Sequence, residues 1–223
     1  TVLLGFALHN GVAQGFAVSP FLANYILRDV DEAISKLDVL YYRYSDDILI
    51  FARNKEEAEE YLEHFLLVLR EKKLYTNPEK TRLIQPGEAV DILGFCLKDG
   101  RMDIASHTKR KIKRKIRMHA KKIRKMQREK GWSDEECGKQ MIGYCNRLFF
   151  GVGHSNKMTW ARWIFPIITD TAPLKELDSY IRDAVRFSMC GSMSGKRFRI
   201  THQDLQRLGY RSLVNAYYQK PLH

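Results

Sequence analysis

Asp46 and Asp47 are adjacent carboxylates between two strand-like runs, Val39-Leu40-Tyr41-Tyr42-Arg43-Tyr44 and Ile48-Leu49-Ile50-Phe51. Neighbouring side chains on a strand point to opposite faces, but at a hairpin tip both can reach one site. Unneutralised carboxylates among apolar strands are costly, and a hard divalent cation such as Mg²⁺ is the partner their oxygens suit. Taken as a bare tripeptide, Ser45-Asp46-Asp47 is also ordinary turn chemistry, since Ser and Asp both favour turns.

A second concentration of chemistry lies further along. Residues 109–130 hold thirteen Lys or Arg and one acid, Glu129, for a net charge of +12. The rest of the chain carries 25 basic and 25 acidic side chains and is neutral. Ile112, Ile116, Ala120, Ile123 and Met126 recur at helical spacing, which predicts an amphipathic helix with one apolar stripe. Ser106 or Thr108 is expected to cap its start and Gly131 to end it. Like charges at i,i+4 destabilise an isolated helix, so a phosphate backbone is a more economical partner than solvent. Lys109, Lys113, Arg114, Arg117, Lys121 and Arg124 are the candidate contacts. An anionic membrane fits poorly, because the stripe has no Trp or Phe.

The elements that must position these groups follow from patterning. Residues 16–37 read as a helix after a Gly-rich loop, and 39–53 as a β-hairpin. Asn54 is placed to cap an amphipathic helix reaching about Lys73. A β-rich stretch covers roughly 82–97, and Lys98-Asp99-Gly100-Arg101 is a turn signal. Beyond the basic helix the pattern is helical: Ser133 with Glu136 makes a capping box, and Pro166 and Pro173 punctuate later elements. Trp132, Trp160 and Trp163 read as core aromatics. The chain thus reads as α+β to about residue 105 and helical from 106 to 223.

Length and composition agree with a globular protein. The 223 residues are 44% hydrophobic and 11% aromatic, which excludes disordered and low-complexity classes. No apolar run reaches membrane-spanning length, and the start lacks the basic residues of a secretory signal. Cys96, Cys137, Cys145 and Cys190 form no C-x-x-C and read as thiols of a reducing compartment. The seven His stand at no metal-binding spacing. Residues 191–196 fall one residue short of a phosphate-loop spacing.

Tyr44-Ser45-Asp46-Asp47 between two strands resembles the Y-x-D-D motif of reverse transcriptases, and further motifs of that family occur in order. Gly11-Val12-Ala13-Gln14-Gly15, followed by Ser19-Pro20, Leu22, Asn24 and Leu27 to Asp31, resembles motif B. Leu74-Tyr75-Thr76-Asn77-Pro78-Glu79-Lys80-Thr81 resembles motif D. Ile92-Leu93-Gly94-Phe95 resembles motif E, the primer grip. The helical remainder resembles the thumb of bacterial enzymes of the group II intron kind, with Leu177-Asp178-Ser179-Tyr180-Ile181-Arg182 as a looser likeness.

The resemblance implies an α+β right-hand palm, partial over 1–105, then an all-helical thumb over 106–223, with fingers absent. It implies Asp46 and Asp47 as ligands of two Mg²⁺ ions, with Mn²⁺ as an alternative. Gln14, Gly15, Ser19 and Tyr44 would lie against nucleotide and template, and Lys80 near the triphosphate. Leu93, Gly94 and Phe95 would hold the primer end. The implied partners are an RNA template, a DNA or RNA primer, dNTPs and a cognate structured RNA, in a bacterial cytoplasm with no membrane. Ala13 stands where the family often has Pro, and Ser45 where Ala or Met is commoner. Motif A, which carries the family's first catalytic Asp, would precede Gly11, and no Asp does so here. A chain starting at Thr1 reads as processed or truncated, and is expected to be inactive without an upstream palm and fingers segment. Two other readings stay open: an RNA-binding or splicing module, and an antiviral-defence polymerase of the same fold.

Overall fold

The computed structural model describes residues 15–151 and 159–219. In chain order the elements are α1 (Ser19–Ser35), β1 (Leu40–Tyr44), β2 (Asp47–Phe51), α2 (Lys55–Glu71), β3 (Val90–Ile92), β4 (Phe95–Lys98), β5 (Arg101–Ile104), α3 (Ser106–Lys130), α4 (Asp134–Phe150), α5 (Trp160–Ile164), α6 (Ala172–Cys190), a 3₁₀ turn (Gly195–Arg199), α7 (His202–Arg207) and α8 (Leu213–Tyr218). The fold is mixed α/β with two small antiparallel sheets. The chain forms two compact units, Thr1–Pro86 and Gly87–His223. Among the described residues, no helix is long and apolar enough to cross a membrane.

In the first unit, β1 and β2 form a hairpin in which Tyr44 pairs with Asp47 and Leu40 with Phe51. The strand period of two sends Tyr41, Ile48 and Ile50 onto a small core of Val30 and Ile34 from α1 and Phe65 and Leu69 from α2. Leu40, Tyr42, Tyr44 and Phe51, on the other face, are exposed. Pro20 sits in the first turn of α1, where its missing N–H costs nothing. The Asn54 side chain accepts from the Glu57 N–H and starts α2, as the sequence predicts.

The second unit begins with a three-stranded meander, β3-β4-β5. Both connections are two-residue turns, Leu93-Gly94 and Asp99-Gly100, and all four residues have positive φ. This is the type I′ geometry whose twist matches the flanking strands. The β-rich stretch is shorter than the sequence suggests: residues 82–89 form no strand, in keeping with Pro86, which cannot donate to a ladder.

Phe95 and Ile104 of the meander enter one core with Ile112, Ile116, Ala120 and Ile123 of α3, together with residues of α4, α5, α6 and α8. The division between compact units therefore falls at Pro86/Gly87, ahead of the composition change at 105/106. The reason is that the meander shares its apolar face with α3. The start of α3 also departs from expectation. Its N-cap is Ala105 with no side-chain cap, and Ser106 and Thr108 lie inside the helix. The Ala105 N–H donates to the Gly94 carbonyl at 2.9 Å, so the backbone of the preceding turn fixes where the helix begins. Gly131 ends the helix in the left-handed region, at φ 68°.

Helix α4 starts as the sequence predicts, with a reciprocal capping box at Ser133/Glu136, and α7 starts with another at Thr201/Asp204. Trp132 and Trp160 pack against the core. Trp163 does not: it is 42% exposed, because the short α5 turns Ala161 and Ile164 inward. Within α6, Asp178 is 2% exposed. Its carboxylate accepts from the Tyr210 hydroxyl at 2.6 Å, the Ser212 hydroxyl at 2.7 Å, and the N–H groups of Leu213 at 2.9 Å and Val214 at 3.1 Å. Those bonds fasten the start of α8 to α6. Burial, then the neighbouring Asp178 charge, pushes the Tyr210 phenol well above its ordinary range.

Replacing Asp178 with Asn puts an amide donor among four donors, and is expected to cost about 2–3 kcal/mol in a urea titration. A loss of only a few tenths would show that these bonds do not anchor the C-terminal helix.

Candidate functional site

The tip of the first hairpin is a two-residue turn, Ser45-Asp46, between the paired residues Tyr44 and Asp47. Ser45 has φ 58°, and Asp46 is not among the positive-φ residues. This is the φ pattern of a type II′ turn, whose first position favours Gly. A non-Gly residue held there stores roughly 1 kcal/mol or more and needs its surroundings to hold it. Asp46 sits on the turn and Asp47 on the first residue of β2, and both are exposed. Directly paired residues share a face, so Asp47 lies with Tyr44 on the side away from α1 and α2.

Beneath the tip, Arg43 ties β1 to α1. Its Nε and Nη2 donate to the two oxygens of Asp31 at 2.8 and 2.5 Å. Its Nη1 donates to Asn24 Oδ1 at 2.9 Å and to the Ser45 carbonyl at 3.1 Å. The Tyr41 hydroxyl donates to Asp31 at 2.7 Å. The Arg43 hydrogen bonds hold the Asp31 carboxyl below the usual carboxylate range, against the opposing effect of burial. The sequence reading did not single out Arg43 as a site residue. Its signal was there: a lone cation at an inward position of an apolar strand, and an Asp at a compatible place on the preceding helix.

Hard oxygen donors at the tip fit Mg²⁺, but they make only part of a site. Among the described residues, no group of three or more His, Cys, Asp or Glu could hold a metal ion. Of the other nominated residues, Gln14 lies outside the described residues. Gly15 has φ 86°, a backbone that favours glycine. Ser19 opens α1. Lys80 is exposed on a turn whose N–H donates to the Asn77 carbonyl at 3.0 Å.

In the second unit, Leu93 and Gly94 are the β3-β4 turn and Phe95 is buried under it. A Cβ on Gly94 would stand 3.1 Å from Thr108 Oγ1, so the turn seats closely on the first turn of α3. The basic helix sorts its cations. Arg110, Arg114, Arg117, Lys121, Lys125 and Arg128 are all exposed, and steps of 4, 3, 4, 4 and 3 align them opposite the buried stripe. At 1.5 Å per residue this row extends about 27 Å. Three nominated residues are differently employed. Lys109 pairs with Asp103 at 3.6 Å and Glu176 at 3.2 Å, and Lys113 pairs with Glu176 at 2.5 Å and lies over the Tyr180 ring. Arg124 turns in to donate to the Met189 carbonyl at 3.1 Å, near the end of α6.

Residues 4–97 match the model of the reverse transcriptase (RNA-dependent DNA polymerase) family. This segment belongs to the reverse transcriptase family. A 64-residue stretch is 36% identical to the retron Ec73 reverse transcriptase of Escherichia coli. That match covers 26% of this chain and 20% of the relative, so the chain spans about a fifth of that curated protein's length. The reverse transcriptase segment contains both carboxylates and the Arg43 network, and its match ends within β4.

If the outer row of α3 carries a phosphate backbone, the sorting of its cations becomes measurable as log Kd against log salt for a template–primer duplex. Changing Arg114, Arg117 and Lys121 together to Gln is expected to flatten the slope by roughly 2 to 3, at about 0.9 per contact. Changing Lys109 and Lys113 to Gln should leave it nearly unaltered. Equal effects from both sets would show that pairing with Glu176 does not withhold those two lysines.

Proposed function

We propose that this chain is the palm–thumb part of a bacterial RNA-directed DNA polymerase, extending a primer 3′-hydroxyl on an RNA template. The observation that carries the reading is the Asp46-Asp47 pair on a hairpin tip inside the segment that matches the reverse transcriptase family. Similarity to a retron reverse transcriptase supports a bacterial enzyme of that broad kind.

In this reading Asp46 and Asp47 hold Mg²⁺, with Mn²⁺ able to substitute, and a third oxygen ligand comes from a palm segment other than the described residues. Ions held there would neutralise the triphosphate and activate the primer hydroxyl. The remaining roles belong to the chain. Gln14, Gly15, Ser19 and Tyr44 border the nascent base pair, and Lys80 supplies a compact cation for the triphosphate. Leu93, Gly94 and Phe95 hold the primer end on a rigid turn. The exposed row of α3 follows the duplex backbone without reading its bases, because sequence information comes from pairing.

The test is primer extension on an RNA template with Mg²⁺ and dNTPs. It compares the chain joined to an upstream segment carrying motif A, the chain alone, and an Asp46→Asn form of the joined chain. DNA synthesis by the unmutated joined chain, abolished in the Asp46→Asn form, is the expected outcome. A joined chain that binds RNA tightly yet makes no DNA would replace the polymerase reading with that of an RNA-binding module.

A further inference from the structure

We propose that Arg43 is the positioning residue of the carboxylate turn: anchored on Asp31 of α1, its guanidinium holds the Ser45 carbonyl and so fixes the backbone that aims Asp46 and Asp47. The inference rests on the reading of that pair as cation-holding carboxylates. Four observations converge on it. The Arg43 side chain is 12% exposed and makes a two-pronged bond to Asp31. The remaining prong is shared between Asn24 and the Ser45 carbonyl. The Tyr41 hydroxyl donates to the same Asp31 oxygen that accepts from Arg43 Nε, so the anchor itself has little freedom. Ser45, the residue gripped, has a positive φ that a serine does not favour.

These facts point beyond a staple between helix and strand. A staple needs only the Asp31 bond. The Nη1 bond reaches past it to the carbonyl immediately before Asp46, the one peptide whose rotation would swing the first carboxylate. The planar guanidinium reaches three acceptors at fixed angles, whereas an ammonium in its place is a single point donor. Substituting Lys should therefore keep the charge pair with Asp31 and release the turn. If release is the defect, Gly at position 45 should repair it, because Gly adopts positive φ unaided.

The experiment is a Mn²⁺ titration of the chain followed by water-proton relaxation, with thermal melting of each variant recorded alongside. Arg43→Lys is expected to bind Mn²⁺ about tenfold more weakly, as loss of an outer partner typically does. Combining Arg43→Lys with Ser45→Gly should recover most of that loss. Asn24→Ala, which removes only one acceptor of Nη1, should shift the titration the same way by a smaller factor, and it decides the matter if Arg43→Lys does not fold. An Arg43→Lys chain that is folded and binds Mn²⁺ like the parent, while Asp46→Asn has lost binding, overturns the role of Arg43. Failure of Ser45→Gly to restore anything overturns it too. Parent-like binding by Asp46→Asn overturns the carboxylate reading itself, and the positioning role with it.

Discussion

Burial of one side of α3 is the interaction on which the larger unit depends. The helix carries like charges at i,i+3 and i,i+4 along most of its length, each such pair costing about 0.2–0.5 kcal/mol. Against that, Ile112, Ile116 and Ile123 are almost fully removed from water, and each contributes about 1.5–3 kcal/mol. The helix therefore exists because a core holds it, and the same stripe is what the meander, α4 and α6 pack upon. The acids at the meander and α6, Asp103 and Glu176, relieve repulsion only at its N-terminal end. From Arg114 onward most of the positive charge is left facing outward.

The two ends of the proposed chemistry are thus built on different physics. Binding a polyanion asks for many weak, additive, solvent-exposed cations, and tolerance in the placement of each. Holding a metal ion asks for two or three oxygens placed to a fraction of an ångström. In the proposed reading the first requirement falls to a single amphipathic helix, and the second to a turn whose unfavourable serine backbone is held from beneath by a partly buried ion pair.

What was legible in the sequence follows the same division. The charge run, the apolar stripe, the Asn54 and Ser133 caps, the Asp99-Gly100 turn and the position of the Y-x-D-D hairpin are local features, and local spacing shows them. The Arg43 anchor joins residues on separate elements, and a strand pattern alone does not say which partner an inward cation will find. The start of α3 differs from the sequence expectation for a similar reason: the Gly94 carbonyl, eleven residues upstream, holds the Ala105 N–H, and the helix begins at Ser106 without a side-chain cap. The sorting of Lys109, Lys113 and Arg124 from the outward row likewise depended on where Glu176 and the end of α6 came to lie.

The seating of the Leu93-Gly94 turn on α3 bears on how such chains can recombine. The end of the segment that matches the reverse transcriptase family packs into one core with the basic helix, and the Gly94 carbonyl holds the Ala105 N–H, so the two form a single packed block. A chimera that exchanged the helical region at residue 105 would cut Phe95 and Ile104 from the side chains they pack against. One exchanged at Pro86 would carry the turn, the meander and the helix together. Any change to the basic helix is thereby constrained to keep the Leu93-Gly94 turn, and the natural seam for exchange lies before that turn.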